Sequence, residues 1–174
     1  MPRLPAEAAR VRKLAALMLA LAAAGCAHAK SPEQVLADID TARYMLPTDT
    51  GETFALGQQR GHEVVMIFFA TWCVPCLAEV TQLQKLTARE PGLEVVGVVM
   101  DLDAARSAPT FRQTTGVTYP LLIADDVTRS GDSVFGRVPA LPTTVVIDKD
   151  GVVRSAFTGL VPDEDLDKLI RAAR

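Results

Sequence analysis

Two nearly continuous apolar stretches, residues 64–69 and 93–100, dominate the hydrophobic pattern of the chain. Both are rich in β-branched or aromatic residues and are short, so they predict buried strands. Between them, apolar residues recur at three-residue steps from Leu77 to Leu86, which predicts a helix over 76–86. The middle of the chain is therefore predicted to form a strand–helix–strand unit.

The patterns on either side extend this unit into an alternating series of elements. Gly116 is expected to end one helix, and the tetrapeptide 148–151 predicts a hairpin turn between two strands. Ser31 and Pro32 are typical of a helix start. The order β, α, β, α, β, α, β, β, α predicts an α/β fold with a mixed central sheet flanked by helices. The further helices are expected over 31–40, 104–115, 126–135 and from 162 onward, and the further strands over 53–56, 119–124, after Pro142 and over 152–157.

The N-terminus has the pattern of an export signal. Four basic residues and one acidic residue precede an unbroken apolar run of 11 residues, 14–24, which is too short to span a bilayer comfortably. Small residues directly before Cys26 resemble a bacterial lipobox, in which the cysteine is acylated and becomes the mature N-terminus. That resemblance implies a lipid anchor at Cys26, although Ala23 stands where a lipobox usually has leucine. The alternative is secretory cleavage after Ala27 or Ala29, which would leave a soluble protein.

The length and charge of the chain limit its domain organisation and the partners that it can bind. Its 174 residues suffice for one domain with a sizeable core, and 22% charged residues indicate a folded chain. We predict a signal peptide over 1–25, a tether with an N-terminal helix over 26–50, and a single domain over 51–174. Removing 1–25 takes away four basic residues and one acidic one, which changes the formal net charge from −3 to −6. No basic cluster remains, so no nucleic-acid partner is expected.

Two cysteines, Cys73 and Cys76, stand where the first buried strand meets the helix. A helix N-terminus offers unpaired N–H groups and the positive end of the helix dipole, and both favour thiolate over thiol. Cys73, at the tip, is expected to attack disulfides, and Cys76, one turn inward, to resolve the mixed disulfide. Export would place this pair in an oxidising compartment.

Three other interpretations of the pair are weaker. A zinc site needs two more ligands, but Cys26, His28 and His62 supply no second paired spacing. A c-type haem site needs histidine directly after the second cysteine, where this chain has Leu77. Both cysteines could also simply fill the core. The strand-to-helix context favours a redox pair over all three.

The segment Trp72-Cys73-Val74-Pro75-Cys76 resembles the active site of thioredoxin-like proteins. The chain has a short strand before the main strand. It also has a helix and a strand after the second core strand, and these two exceed the minimal thioredoxin plan. They resemble the TlpA/ResA-like group of membrane-anchored bacterial thiol–disulfide oxidoreductases, over about residues 50 to 174. The resemblance implies a thioredoxin-like fold with an inserted helix–strand, and a Cys73–Cys76 disulfide with no other cofactor.

The same resemblance assigns a substrate surface around the pair. Pro142, rather than Pro139, matches the cis-proline that faces the cysteines in this fold. Its role would be to leave the Leu141 backbone free to pair with an extended substrate, with Thr143 beside it. Trp72 is expected to line the substrate groove, with a core aromatic as the alternative, and Pro75 to tune the stability of thiolate against disulfide.

Glu79 is the predicted proton acceptor. Thioredoxins carry a buried aspartate six residues before the first cysteine, where this chain has Ile67. The TlpA/ResA-like group instead carries a glutamate three residues after the second cysteine, which Glu79 matches. A partly buried carboxylate would have a raised pKa and could take the proton from Cys76. The alternative is an ordinary solvated glutamate.

Together these features predict an exported thiol–disulfide oxidoreductase that reduces protein disulfides, for example in cytochrome c maturation. Its expected partners are a disulfide-containing client protein and a membrane thiol protein that donates electrons. Its expected location is the periplasmic side of the bacterial cell envelope, held to a membrane by the lipid at Cys26. The alternatives are a copper-delivery module that binds metal through Cys73 and Cys76, and a thiol peroxidase.

Overall fold

A computed structural model describes residues 39–174 of the protein. The predicted signal peptide, Cys26 and the predicted helix up to residue 38 lie outside the described residues. The described part forms a five-stranded sheet of order β5-β4-β3-β6-β7 and a separate two-stranded sheet, β1-β2. The strands are β1 Met45–Pro47, β2 Thr53–Ala55, β3 Glu63–Phe69, β4 Leu93–Val99, β5 Leu121–Ile123, β6 Thr143–Ile147 and β7 Val153–Thr158, and the helices are α1 Val74–Arg89, α2 Ala104–Thr115, α3 Asp126–Ser130 and α4 Asp163–Ala172.

The two long apolar stretches form the adjacent strands β3 and β4. They run parallel, with Phe69 opposite Val99, so both strands end at the same edge of the sheet. Residues 64–69 of β3 are buried on both faces of the sheet, which explains why this stretch is continuously apolar rather than alternating. On its other side β3 pairs antiparallel with β6. The predicted mixed sheet and the helix and strand inserted after β4, here α2 and β5, are both present.

Each face of the sheet carries its own hydrophobic cluster. On one face, residues of α1, α2 and α4 such as Leu83, Phe111 and Leu166 pack together. On the other face, the β1-β2 hairpin and the loop before β6 contribute residues such as Leu46 and Phe135. Two buried layers on one sheet let a chain of this size exclude water from both faces.

The first strand of the β1-β2 hairpin precedes residue 51. Here β1 pairs with β2, and Tyr44 and Leu46 are buried. A three-residue strand that ends in a proline has too little periodicity to be recognised from sequence.

The helix predicted over 126–135 is shorter than expected. It ends at Ser130 because Gly131 adopts a left-handed conformation, with φ of 90°, and caps it. Asp125 caps its start by accepting a hydrogen bond from the Thr128 N–H. By contrast, α2 has the predicted bounds, with Gly116 as its left-handed C-cap.

A buried ion pair joins the β1-β2 turn to α2. The Arg112 guanidinium donates to both carboxylate oxygens of Asp49, at 2.5 and 2.8 Å, and also to the carbonyls of Val117 and Tyr119. The Asp49 side chain is only 2% exposed. Since leaving such a charge unpaired costs about 3–5 kcal/mol, this pair holds the hairpin against the inserted helix.

No helix within residues 39–174 combines the length and apolar character needed to cross a membrane.

Candidate active site

The two cysteines lie at the N-terminus of α1 and are joined in a disulfide. Cys73 is the N-cap residue, and its N–H donates to the Ala70 carbonyl at 3.1 Å, which closes the turn that leads into the helix. Cys76 lies one turn further in and is fully buried, whereas Cys73 is 7% exposed. Pro75 occupies the first turn, where its missing N–H leaves no hydrogen bond unmade. Both cysteines are therefore largely buried, and Cys73 is the less enclosed of the two.

The loop before β6 brings a backbone carbonyl to the first sulfur. Cys73 Sγ lies 3.8 Å from the carbonyl oxygen of Leu141, a van der Waals contact because a disulfide sulfur carries no hydrogen to donate. The Leu141–Pro142 peptide bond is cis. The resemblance to thioredoxin-like proteins predicted a cis-proline at Pro142 rather than at Pro139. Thr143 donates its hydroxyl to the Ala140 carbonyl at 2.7 Å and so holds the loop from its far side.

Glu79 is fully buried beneath the cysteine pair, on the same helix. The Thr144 hydroxyl donates to one carboxylate oxygen, and the Val161 N–H donates to the other at 3.4 Å. Burial raises the pKa of Glu79, and these two hydrogen bonds lower it by less. The solvated-glutamate alternative is therefore wrong, and the side chain is more deeply enclosed than the predicted partly buried one.

The hydrogen bond from Thr144 places the Glu79 carboxylate next to the pair of strands β3 and β6. Thr144 lies on β6 directly opposite Ile67 of β3, the position at which thioredoxins carry their buried aspartate. The chain thus brings a buried carboxylate to this strand pair from the helix instead of from the strand. Nearby, burial and the negative charge of Glu79 both raise the pKa of Tyr119, whose hydroxyl donates to the Val80 carbonyl at 3.4 Å. Both phenol and carboxyl are therefore held toward their protonated forms.

Exposed apolar side chains surround the disulfide. Trp72 and Val74 are each 76% exposed, and Leu77 is 38% exposed. The core-aromatic alternative for Trp72 is therefore wrong. Its role as a groove wall stays a prediction, as do the substrate-binding roles of Pro75, Leu141, Pro142 and Thr143.

Sequence reasoning missed three polar residues around the site. The Thr144 hydroxyl donates a hydrogen bond to Glu79. Asp101 follows β4 and accepts hydrogen bonds from Thr71, in the turn before Cys73. A threonine in a strand and an aspartate after one carry no local signal that they approach a cysteine pair. The parallel pairing of β3 and β4 offered one clue, because residues that follow neighbouring parallel strands meet at one edge.

Comparison with known proteins identifies the family. The Redoxin family model matches residues 30–170. The chain belongs to the Redoxin family. Two curated relatives are the thiol-disulfide oxidoreductase ResA of Geobacillus kaustophilus, 29% identical over 135 residues that cover 75% of this chain and 74% of ResA, and the thioredoxin-like protein YneN of Bacillus subtilis, 28% identical over 128 residues that cover 72% and 73%.

A similar solved structure supports the fold. It is a candidate thiol:disulfide interchange protein DsbE from Chlorobium tepidum, with a TM-score of 0.66, 28% identity, and coverage of 77% of this chain and 95% of that one. The thioredoxin-like fold and the ResA-like resemblance predicted from the sequence are confirmed. So is the predicted enzyme class, a thioredoxin-like protein disulfide oxidoreductase.

Proposed function

We propose that this Redoxin protein is an exported reductase of protein disulfides, with Cys73 as its attacking thiol and Cys76 as its resolving thiol. The observation that carries the proposal is the contact between Cys73 Sγ and the Leu141 carbonyl oxygen, which are 3.8 Å apart. A client segment that pairs with the Leu141 backbone as an added strand would bring its own disulfide against Cys73. Exposed Trp72 and Val74 offer apolar contacts for the flanking client residues.

The proposed reaction is two successive thiol–disulfide exchanges. The Cys73 thiolate attacks one sulfur of the client disulfide, forms a mixed disulfide and releases the other client sulfur as a thiolate. The Cys76 thiolate then attacks Cys73 Sγ, which releases the second client thiolate and leaves the Cys73–Cys76 disulfide. Two electrons pass to the client, so a thiol protein must reduce the pair again. No cofactor other than the disulfide takes part in the proposed cycle.

Glu79 is the proposed acceptor of the Cys76 proton. Cys76 is fully enclosed, so water does not reach its thiol directly, and Glu79 is one helical turn away on the same helix. A carboxylate with a raised pKa is a stronger base than one with the ordinary value, and a thiol needs such a base to become a nucleophile near neutral pH.

The reduction potential of the Cys73–Cys76 couple tests the direction of electron flow. We expect a value near that of thioredoxin, about −270 mV, rather than that of the oxidant DsbA, about −120 mV, a gap of about 7 kcal/mol for two electrons. Equilibration with thiol–disulfide buffers of known potential gives this value. A reducing value agrees with a client such as an apocytochrome c and a membrane thiol donor, whereas a value near DsbA would contradict the reductase proposal.

The proposed location is the periplasmic side of the bacterial envelope, with the chain anchored through acylated Cys26. The apolar run at 14–24 and the small residues before Cys26 support it. We expect Cys26→Ser to abolish labelling of the protein by radioactive palmitate and to release it from the membrane fraction. Continued labelling of the variant would contradict anchoring at Cys26, and a wild-type protein that is exported but unlabelled would favour cleavage after Ala27 or Ala29.

A further inference from the structure

The loop after β4 places a carboxylate against the turn that carries the attacking cysteine. β3 and β4 end side by side, and the Met100 N–H donates to the Phe69 carbonyl at 2.8 Å just beyond them. The next residue, Asp101, therefore faces the turn from Ala70 to Cys73. Asp101 is only 6% exposed, although it lies in a connection between a strand and a helix.

All the side-chain hydrogen bonds of Asp101 connect this turn to α2. Thr71 donates its backbone N–H to Oδ2 at 3.1 Å and its hydroxyl to Oδ1 at 3.3 Å. Ser107 of α2 donates its hydroxyl to Oδ2 at 3.2 Å. On the backbone, the Arg129 guanidinium donates to the Asp101 carbonyl at 3.4 Å. The carboxylate is thus held by α2 and in turn holds Thr71, while Arg129 of α3 binds the backbone of the same residue.

Thr71 is two residues before Cys73, and the two belong to one tight turn closed by the Cys73 N–H and the Ala70 carbonyl. Because Asp101 holds Thr71 in place, the direction in which the backbone enters α1 at its N-cap, Cys73, is also set. That direction sets the approach of Cys73 Sγ to the Leu141 carbonyl and to the N–H groups of the first turn of α1. We propose that Asp101 is a positioning residue for the attacking thiol, acting through its hydrogen bonds to Thr71. This inference rests on the proposed role of Cys73.

Two substitutions separate this role from a simple charge effect. Asp101→Asn removes the charge but keeps an oxygen for the Thr71 N–H and an amide that can donate to the Thr71 hydroxyl. Asp101→Ala removes the charge and all three hydrogen bonds, two from Thr71 and one from Ser107. We expect kcat/KM for disulfide reduction to be about tenfold to a hundredfold lower in Asp101→Ala than in Asp101→Asn, because small misplacements of a reacting atom have effects of this size.

The pKa of the Cys73 thiol supplies a second readout that needs no client. Alkylation of the reduced protein by iodoacetamide, followed against pH, reports the thiolate fraction of Cys73, the less buried of the two cysteines. We expect a higher Cys73 pKa in Asp101→Ala than in Asp101→Asn, because a loosened turn weakens the contact of the thiolate with the helix N-terminus. Equal rates and equal pKa values in the two variants would overturn the inference, whatever their stability.

A second pair of variants serves if Asp101→Ala does not fold. Thr71→Val and Ser107→Ala each remove one hydroxyl from the same carboxylate, the first on the cysteine turn and the second on α2. We expect Thr71→Val to change the Cys73 pKa more than Ser107→Ala, and equal changes would overturn the inference. If the wild type reduces no disulfides, the proposed function fails, but the alkylation comparison still tests Asp101.

Discussion

We expect Cys73→Ser to lower the rate of disulfide reduction on the order of 10³-fold or more, because the substitution removes the nucleophile itself. Serine is nearly the same size as cysteine, so the cap of α1 and its contact with Leu141 should keep their geometry. The measurement is the reduction of a protein disulfide with dithiothreitol as electron source, corrected for the uncatalysed rate. Undiminished activity in Cys73→Ser would contradict the proposed function.

Cys76→Ser is the matched control, because the second cysteine enters only after the first attack. This variant should form a mixed disulfide with the client through Cys73 and fail to release it, since no resolving thiol remains. Non-reducing electrophoresis and mass spectrometry would detect the adduct. Adducts in Cys73→Ser but not in Cys76→Ser would reverse the roles assigned to the two sulfurs.

Glu79→Gln is expected to have the second-largest effect. General-base catalysis typically contributes about 10²–10⁴-fold, and the neutral amide cannot accept the Cys76 proton. Release of the mixed disulfide should therefore slow by about a hundredfold or more, while the first attack by Cys73 is changed less. Single-turnover kinetics that separate the two steps would measure this. Equal slowing of both steps would show that Glu79 does not act on Cys76 alone.

The raised pKa of Glu79 also predicts how the stability of the oxidised protein depends on pH. The pKa in the folded protein lies above the ordinary value of 4.5, so the folded state binds the proton more tightly than the unfolded chain. Wild-type stability should therefore fall as pH rises from about 4.5 through the folded pKa, and level off above it. Each unit between the two pKa values corresponds to about 1.4 kcal/mol.

Glu79→Gln lacks this ionisation, so its stability relative to the wild type should increase over the same pH range and be nearly equal to it below pH 4.5. The amide can still accept from the Val161 N–H and donate to the Thr144 hydroxyl, which keeps both hydrogen bonds. Urea unfolding of the oxidised proteins at several pH values measures the difference. The exposed Glu52→Gln serves as control, and a pH-independent difference for Glu79→Gln would contradict the prediction.

Much of the fold follows from local patterns in the sequence. β3 and β4 are recognisable because strands buried on both faces are continuously apolar, and α2 because Gly116 supplies a left-handed cap. The elements predicted poorly are short. β1 has three residues and is stabilised by pairing with β2 and by burial of Leu46, neither of which leaves a repeat in the sequence.

The candidate chemistry of this protein is visible in local sequence: a Cys-x-x-Cys pair at a strand-to-helix junction, Pro142 before a strand, and Glu79 one turn after Cys76. These are local features, since the positions of the residues along one helix and one turn set their spacing. The burial of Glu79 against Thr144 and the hydrogen bond from Thr71 to Asp101, by contrast, depend on tertiary contacts. Those contacts join residues 65 and 30 positions apart. They depend on which strands are neighbours in the sheet, and strand pairing is set by burial of the whole core rather than by any short stretch of sequence.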